Sequence, residues 1–496
     1  MVKWNRIAVA VAIVVSVSGI ARVGLQVDVQ AQDARAVLAD ASKALGVEAL
    51  NSVEFSATGF DFVFGQAYNP SSPWPKFIEK SYKRAIDFRT PASKVDRIRM
   101  QGENPPRGGG QQPVIGEQTQ SQTIIIAPGT PWVNQLEIWM TPHGFVRAAQ
   151  TRNATVKAQK VGGKSFQVVS FTGDNKAQVN GYINEQHLIE RVETWIDTAY
   201  LGDTLFESTY ADYKDIGGAK FPMKIGQRQG GYPIFDLNVS EAKANAPVSI
   251  QPPQGRGAGP GGAPAPAAGA GGAANVPTET LADGVHLILG GYASVAVDFK
   301  DYIVVIEGPQ NEQRAQQIID TAKRLVPGKP IRYVVNTHHH FDHSSGLRTF
   351  VAEGATVVTH EVNKPYFEKL FGLPHTLEPD RLQKEKKSAK FETMTEKKVL
   401  TDGNRVIELH HLAGSGHNEG LIVAWLPKEK ILVEADAFNP PPQPPTAAPP
   451  TISPYTANLA EAVAKLNLDV QRIIPIHYPA DNRKVSIAEL RTMTGR

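Results

Sequence analysis

The stretch NTHHHFDHSSG, residues 336–346, follows the apolar segment IRYVV and holds four histidines and one aspartate within six consecutive positions. In an extended backbone, residues two positions apart project to the same side, so His338 and His340 can reach one metal ion. His339 projects to the other side, and we expect it to pack or to form hydrogen bonds instead. The spacing of these histidines predicts one part of a metal site.

Asp342 and His343 lie beyond the turn and can bind a second ion next to the first. Zinc takes about four ligands, so further ligands must come from elsewhere in the chain. Three later apolar strand patterns each end near a suitable residue: His417 follows LAGSG, Asp436 follows KILVEA and His477 follows RIIPI. Because side chains at strand ends converge at one edge of a sheet, we expect these residues to complete the site.

This order of residues, T-H-x-H-x-D-H followed by His, Asp and His, resembles the signature of the metallo-β-lactamase superfamily. The resemblance covers residues 278–487 and implies an α/β domain with four layers in the order α, β, β, α. It also implies two metal ions. The implied ligands of the first ion are His338, His340 and His417, those of the second are Asp342, His343 and His477, and Asp436 bridges the two.

The chain departs from the family's pattern at positions that bear on the substrate. Asp436 stands where true β-lactamases of this fold usually carry Cys or Ser, and here the chain is similar to lactonases, glyoxalase II and related hydrolases. Glu307 stands where relatives often have an aspartate that supports the metal site. Tyr478 follows His477 where many relatives have Gly. None of these changes removes a ligand, and together they indicate a divergent branch of the family.

The resemblance implies a binuclear zinc-dependent hydrolase that attacks an ester, lactone, thioester or amide with a metal-bound hydroxide, and the N-terminus described below predicts that it is exported. Two Zn²⁺ ions per chain are expected, with iron or manganese as alternatives. Asp342 is the expected catalytic residue, because it can orient the attacking water or move its proton. Three other functions stay open: hydrolysis of β-lactams, an iron-dependent oxygenase of the same fold, and a non-catalytic periplasmic protein that binds metal or lipid.

The N-terminus predicts export. Lys3 and Arg6 precede an apolar run at residues 7–20, and the sequence VQA at residues 29–31 offers a plausible cleavage point. This layout is typical of a secretory signal peptide over residues 1–31. The apolar run is short for a membrane-spanning helix, which needs roughly 20 residues. We therefore expect a periplasmic or secreted protein without stable membrane insertion after cleavage.

Composition excludes several classes of function. The sequence contains no cysteine, which excludes disulfides, thiolate metal ligands and cysteine nucleophiles. The formal net charge is +3, of which Lys3, Arg6 and Arg22 against Asp28 place +2 in the first 31 residues. The nearly neutral remainder offers no charged surface for nucleic acid. A small-molecule substrate is therefore the expected partner.

A run of small residues divides the chain. Residues 252–274, PPQGRGAGPGGAPAPAAGAGGAA, contain only two residues other than Gly, Ala and Pro, which predicts a flexible linker over residues 250–277. Before it, residues 32–249 show one helical pattern and then alternating β-branched and aromatic segments, which predict a β-rich domain built as a half-barrel or curved sheet. After it, residues 278–496 alternate strand and helix patterns, which predict a layered α/β domain.

Overall fold

The computed structural model describes residues 34–103, 106–252 and 276–496. The predicted signal peptide and residues 253–275 of the predicted linker lie outside the described residues. Within the described ranges, no helix has both the length and the apolar character needed to cross a membrane. These ranges form three β-sheets, one in the N-terminal half of the chain and two in the C-terminal half.

The N-terminal sheet has eleven strands. They are β1 (Ser52–Phe62), β2 (Lys76–Asp87), β3 (Ala92–Gln101), β4 (Glu117–Ile125), β5 (Thr155–Val161), β6 (Lys164–Thr172), β7 (Gln178–Ile183), β8 (Ile189–Thr198), β9 (Gly202–Asp215), β10 (Lys220–Gln229) and β11 (Tyr232–Ala244). Their spatial order is β4-β3-β2-β1-β11-β10-β9-β8-β7-β6-β5, and neighbouring strands are antiparallel. The predicted β-rich N-terminal domain is confirmed.

Three helices pack on this sheet: α1 (Ala34–Leu45), α2 (Trp132–Trp139) and α3 (Pro142–Gln150). Leu38 of α1 and Phe145 of α3 share one apolar cluster with Val169 and Val179 of the strands. Only α1 is predicted from the sequence. The other two have eight and nine residues, which is too short for an apolar period of 3.6 to stand out from strand patterns.

Residues 276–496 contain two sheets and seven α-helices. The first sheet contains β12 (Thr278–Ala282), β13 (Val285–Ile288), β14 (Ser294–Asp298), β15 (Ile303–Ile306), β16 (Ile331–Val335), β17 (Thr356–His360) and β18 (Lys390–Met394), in that order. The second contains β19 (Lys397–Thr401), β20 (Val406–His411), β21 (Ile422–Leu426), β22 (Ile431–Glu434), β23 (Arg472–Pro475) and β24 (Val485–Ser486), in that order. The helices are α4 (Glu312–Leu325), α5 (Phe341–Ser344), α6 (Leu347–Glu353), α7 (Lys364–Phe371), α8 (Arg381–Glu385), α9 (Pro454–Lys465) and α10 (Ile487–Thr494).

Three apolar clusters arrange these elements. Val335 of β16 and Ile407 of β20 belong to one cluster, which joins the two sheets. The neighbouring residue Val334 projects to the other face of the first sheet and packs with Ile318 of α4 and Phe350 of α6. A third cluster joins β21 and β22 to α9 and α10. The predicted α/β class is confirmed: the first cluster joins the two sheets, and the other two join helices to them.

Parallel strands bring the candidate residues together. Strands β15, β16 and β17 are parallel to one another, and β22 is parallel to β23. The carboxyl ends of parallel neighbours meet at the same edge of a sheet. The stretch at residues 336–346 follows β16, Asp436 follows β22 and His477 follows β23. These three parts of the chain therefore lie near one another at one end of the paired sheets.

Candidate metal centre

The structure brings all seven predicted ligand residues into two overlapping groups. Within each group the candidate ligand atoms lie within 4.8 Å of one another. The first group is His338, His340, His417 and Asp436, and the second is Asp342, His343, Asp436 and His477. Asp436 belongs to both groups, which is the position of a residue between two neighbouring ions.

The first group has the spacing of a tetrahedral metal site. His338 Nε2 lies 3.1 Å from His417 Nε2. Asp436 Oδ2 lies 3.0 Å from His417 Nε2 and 3.5 Å from His338 Nε2. Zinc–nitrogen bonds of about 2.0–2.1 Å at tetrahedral angles separate neighbouring ligand atoms by about 3.3 Å. The observed separations therefore fit one ion between these atoms.

The second group surrounds the other side of Asp436. His343 Nε2 lies 3.2 Å from Asp436 Oδ2 and 3.5 Å from Asp342 Oδ2. His477 Nε2 lies 2.7 Å from Asp436 Oδ1 and 3.8 Å from Asp342 Oδ2. Both oxygens of Asp436 thus face ligand atoms of the second group, while Oδ2 also faces the first group.

Several of these atoms are buried without a hydrogen bond. Among the described residues, His340 Nδ1, His343 Nε2, His477 Nε2 and both carboxylate oxygens of Asp436 have no hydrogen-bond partner. Leaving a buried polar atom unpaired costs about 1–3 kcal/mol. A divalent cation accepts a lone pair from each such atom and removes that cost. Imidazole and carboxylate donors suit zinc, and they also suit iron or manganese.

A hydrogen-bond chain sets the tautomer of His338. Thr337 Oγ1 donates to Glu307 Oε2 over 2.5 Å and lies 3.1 Å from His338 Nδ1. Because the hydroxyl proton is used on Glu307, Thr337 accepts from His338 Nδ1–H. His338 Nε2 therefore carries a lone pair toward the centre. Glu307 also lies 3.5 Å from Nδ1 of His343, so one carboxylate supports two candidate ligands.

Residues of the N-terminal domain form hydrogen bonds with two of the candidate ligands, His340 and Asp342. The carbonyl oxygen of Ala67 lies 2.8 Å from His340 Nε2 and can only accept, so this nitrogen carries the proton and Nδ1 is free to bind an ion. Asp342 Oδ1 accepts a hydrogen bond from Gln66 Nε2 at 2.8 Å. Asp342 Oδ2 accepts one from the Tyr292 hydroxyl at 2.9 Å. Both oxygens of Asp342 are thereby fixed in orientation.

Burial keeps two of the histidines neutral. Burial, together with neighbouring imidazoles, lowers the pKa of His338 and of His340 far below the ordinary value. Both rings are fully buried. At neutral pH they therefore carry no charge and offer lone pairs to a cation.

The carboxylates place negative charge between the two groups. Although burial opposes ionisation, the imidazoles of His477 and His343 hold the pKa of Asp436 well below its ordinary value. Burial likewise opposes a charged His343, but the carboxylates of Asp436 and Asp342 raise the pKa of His343 well above its ordinary value. The second group therefore favours a positive charge, which is the property required of a cation site.

A strained turn directs Asp436 to the centre. Asp436 has a φ of 59°, in the left-handed region that few non-glycine residues adopt. Glu434, fully buried at the end of β22, accepts hydrogen bonds from the backbone N–H of Ala437 at 3.1 Å and of Phe438 at 3.0 Å. Burial raises the pKa of Glu434 to about 8. The Glu434 side chain thus holds the turn, as is common where strain serves a site.

Residues 300–477 match the family model described as the metallo-beta-lactamase superfamily. The C-terminal domain belongs to the metallo-β-lactamase superfamily. Over 131 residues the chain is 28% identical to metallo-beta-lactamase type 2 of Elizabethkingia meningoseptica, an alignment that covers 26% of this chain and 46% of that protein. The chain thus spans about half the length of this curated relative.

Solved structures of metallo-β-lactamases are similar to the C-terminal part of the chain. The metallo-beta-lactamase from Pontibacter korlensis is 15% identical, with a TM-score of 0.34, and the match covers 44% of this chain and 97% of that chain. The metallo beta lactamase from Hirschia baltica is 19% identical, with a TM-score of 0.33, and the match covers 44% of this chain and 96% of that chain.

The metallo-β-lactamase domain exposes its centre on one side. The three histidines of the first group are fully buried. In contrast, the side chains of Asp342 and His477 are 13% and 16% exposed. The Tyr292 ring lies beside His477, with 4.4 Å between the ring centroids. A molecule from solvent therefore reaches the centre on the side of these three residues.

His339 packs behind the centre, as its position in the sequence predicts. Its ring lies edge-on to Tyr366, and its Nδ1 lies 3.0 Å from the amide nitrogen of Asn418. Burial lowers the pKa of His339 to about 3, so the neutral ring accepts the amide hydrogen bond. His339 thereby ties the stretch after β16 to the loop that carries His417.

Four supporting residues are not predicted from the sequence. Glu434 has a usable signal, because it is a charged residue within the apolar strand ILVE and lies two positions before a candidate ligand. Tyr292 has a weaker one, since it follows two glycines between strands. Gln66 and Ala67 have none: they lie 276 and 273 residues from their partners in the chain.

Proposed function

We propose that the chain is an exported binuclear zinc hydrolase that acts on a small-molecule ester, lactone, thioester or amide. The observation that carries this proposal is the pair of overlapping ligand groups that share Asp436. Membership of residues 300–477 in the metallo-β-lactamase superfamily supports it. The spacing of the first group supports zinc, although the same donors also suit iron or manganese.

The metal ions and the protein residues would have different roles in the reaction. When bound, two zinc ions supply Lewis acidity and lower the pKa of coordinated water from about 15.7 toward about 7. Asp342, fixed by Gln66 and Tyr292, is the residue placed to orient the attacking water and to take its proton. Tyr292 and His477 border the exposed side, where the substrate carbonyl approaches.

The composition of the site supports hydrolysis by water. The chain has no cysteine, so a thiolate nucleophile is excluded. The fully buried histidines of the first group restrict the substrate to the side of Asp342 and His477, where a flat carbonyl group has the best access. The aspartate at position 436, in place of Cys or Ser, favours lactone and thioester substrates among the four classes.

Metal analysis and a substrate panel test the proposal. We expect the purified full chain to contain two zinc ions and to hydrolyse one of the four substrate classes. His340→Ala and Asp436→Ala should each lower the rate by at least about 10³-fold, because each removes an ion or its bridge. The control His286→Ala changes a half-buried histidine of β13 that contacts Thr280, and it should leave the rate unchanged.

Other results would overturn parts of this proposal. A single iron with oxygen consumption indicates an oxygenase, and bound metal without turnover on the whole panel indicates a binding protein. Amino-terminal sequencing of the mature protein tests export, because cleavage after Ala31 leaves Gln32 as the first residue.

Hydrolysis of β-lactams is the second candidate. The observation that favours it is the 28% identity to a protein named metallo-beta-lactamase type 2. A cephalosporin and a carbapenem added to the same panel separate the two candidates. Turnover of these compounds above that of lactones and thioesters would favour the second candidate over the first.

A further inference from the structure

A short segment of the N-terminal domain lies over the metal centre. Residues 65–68, Gly-Gln-Ala-Tyr, follow β1 and are named the capping segment here. All four of its backbone carbonyls accept hydrogen bonds: Gly65 from Phe341 N at 3.2 Å, Gln66 from Gly109 N at 2.9 Å, Ala67 from His340 Nε2 at 2.8 Å and Tyr68 from Glu419 N at 2.9 Å. Three of the four donors belong to the two stretches that carry His340, Asp342 and His417.

The start of the capping segment is fitted closely to the metallo-β-lactamase domain. Gly65 has a φ of 65°, and a Cβ added there would lie 2.9 Å from the Cβ of Phe341. Glycine alone combines this conformation with this approach. The close contact at Gly65 therefore positions the residue that follows it over the metal centre.

That residue is Gln66. It is 4% exposed, and its Nε2 donates to Asp342 Oδ1 over 2.8 Å. Its Oε1 is buried and has no hydrogen-bond partner among the described residues. A carboxylate only accepts, so the contact with Asp342 fixes which end of the amide faces it.

The two oxygens of Asp342 have different surroundings. Oδ2 faces the second ligand group, at 3.5 Å from His343 Nε2 and 3.8 Å from His477 Nε2. Oδ1 is the atom bound by Gln66. An amide that holds one oxygen of a carboxylate directs the other oxygen toward the ion that it binds.

We propose that Gln66 is a positioning residue of the metal centre, through which the N-terminal domain strengthens binding of the second ion. The proposal rests on the proposed function, because it requires that the two groups bind metal. The Gln66 side chain bonds to Asp342, and among the described residues it forms no hydrogen bond with a residue of the first group. Its loss should therefore weaken the second ion selectively.

Metal titration of the full-length protein tests this proposal. Apo protein is titrated with Zn²⁺ against a competing chelator, and the two dissociation constants are fitted for wild type and for Gln66→Met, which keeps the volume but loses the donor. We expect one of the two constants to rise about 10- to 100-fold and the other to stay within about threefold. The control Gln135→Met removes another buried glutamine, which donates to Asp174 Oδ2 at 3.1 Å within the N-terminal domain, and it should change neither constant.

The possible results are distinct. Wild-type protein that binds no zinc contradicts the proposed function. If wild type binds two ions but Gln66→Met has unchanged constants, or loses affinity equally for both ions, the role proposed for Gln66 is wrong. The proposed function is not contradicted by that result. If Gln66→Met is recovered unfolded, Gln66→Asn gives the same comparison, because it keeps an amide but withdraws it by one methylene group, about 1.5 Å. A selective loss of the second ion in that variant supports the role, and unchanged constants refute it.

Discussion

Thr337→Val tests whether the hydrogen-bond chain behind His338 supports the metal centre. The change keeps the shape of the side chain and removes the hydroxyl that joins Glu307 Oε2 at 2.5 Å to His338 Nδ1 at 3.1 Å. Both partners have no exposed surface, so water cannot replace the lost group. A hydrogen bond to a charged group contributes about 1.5–3 kcal/mol and a neutral one about 1 kcal/mol. The expected loss in the free energy of unfolding of the apo protein is therefore about 2.5–4 kcal/mol.

The metal affinity of the same variant should also fall. Without Thr337, Nδ1 of His338 no longer has an acceptor that holds its proton, so the tautomer with a lone pair on Nε2 is less favoured. Loss of such a supporting contact typically weakens metal binding about 10- to 100-fold. Chemical denaturation of the apo protein and zinc titration against a chelator measure the two effects.

A matched threonine gives the comparison. Thr194→Val also removes a fully buried hydroxyl, which donates only to the backbone carbonyl of Gln178 at 2.9 Å in the N-terminal sheet. We expect it to cost about 1 kcal/mol and to leave zinc binding unchanged. If Thr337→Val matches Thr194→Val within about 0.5 kcal/mol and binds zinc as wild type does, the proposed chain of support behind His338 is wrong.

Three further changes have defined outcomes. Gly65→Ala should weaken zinc binding about tenfold or more by displacing the capping segment, whereas Gly217→Ala, with a φ of 97° and no heavy atom within 4 Å of its Cβ, should cost only the backbone strain of about 1 kcal/mol. Tyr292→Phe removes one hydrogen bond to Asp342 and keeps the ring, so steady-state kinetics at saturating zinc should show a fall in kcat of about tenfold. Burial raises the pKa of Glu79 from 4.5 to about 7 against the opposing effect of its arginine partner, so between these pH values the folded state keeps a proton that the unfolded state releases. Glu79 should therefore lower stability by up to about 1.4 kcal/mol per pH unit as pH rises through this range, and denaturation at pH 4.5 and 7 should show a smaller fall for Glu79→Gln than for wild type.

The candidate ligands could be predicted because each depends on local sequence. His338 and His340 share a side because an extended chain repeats every two residues. Asp436 and His477 each follow a short apolar strand, and parallel pairing of β22 with β23 brings their positions together. Helices α2 and α3 could not be predicted in this way, because eight and nine residues are too few to show a helical period.

The support from the N-terminal domain could not be predicted. Gln66 and Ala67 lie in a segment with no strand or helix pattern, and their partners are more than 270 residues away. Hydrogen bonds of this kind form when two folded surfaces dock. A periodic pattern in the sequence does not indicate which surfaces will meet. Gly108 shows the same limit, because its backbone N–H donates to the carbonyl of Gly416, which precedes His417.

The capping segment makes metal uptake and the assembly of the two halves reciprocal. Any factor by which contacts from Gln66 and Ala67 raise the affinity for an ion is the factor by which that ion strengthens the association of the halves. An apo chain should therefore open more readily between the N-terminal sheet and the metallo-β-lactamase domain, as hydrogen exchange at Phe341 and Glu419 would report. Scarcity of metal would then act on the shape of the protein as well as on its activity.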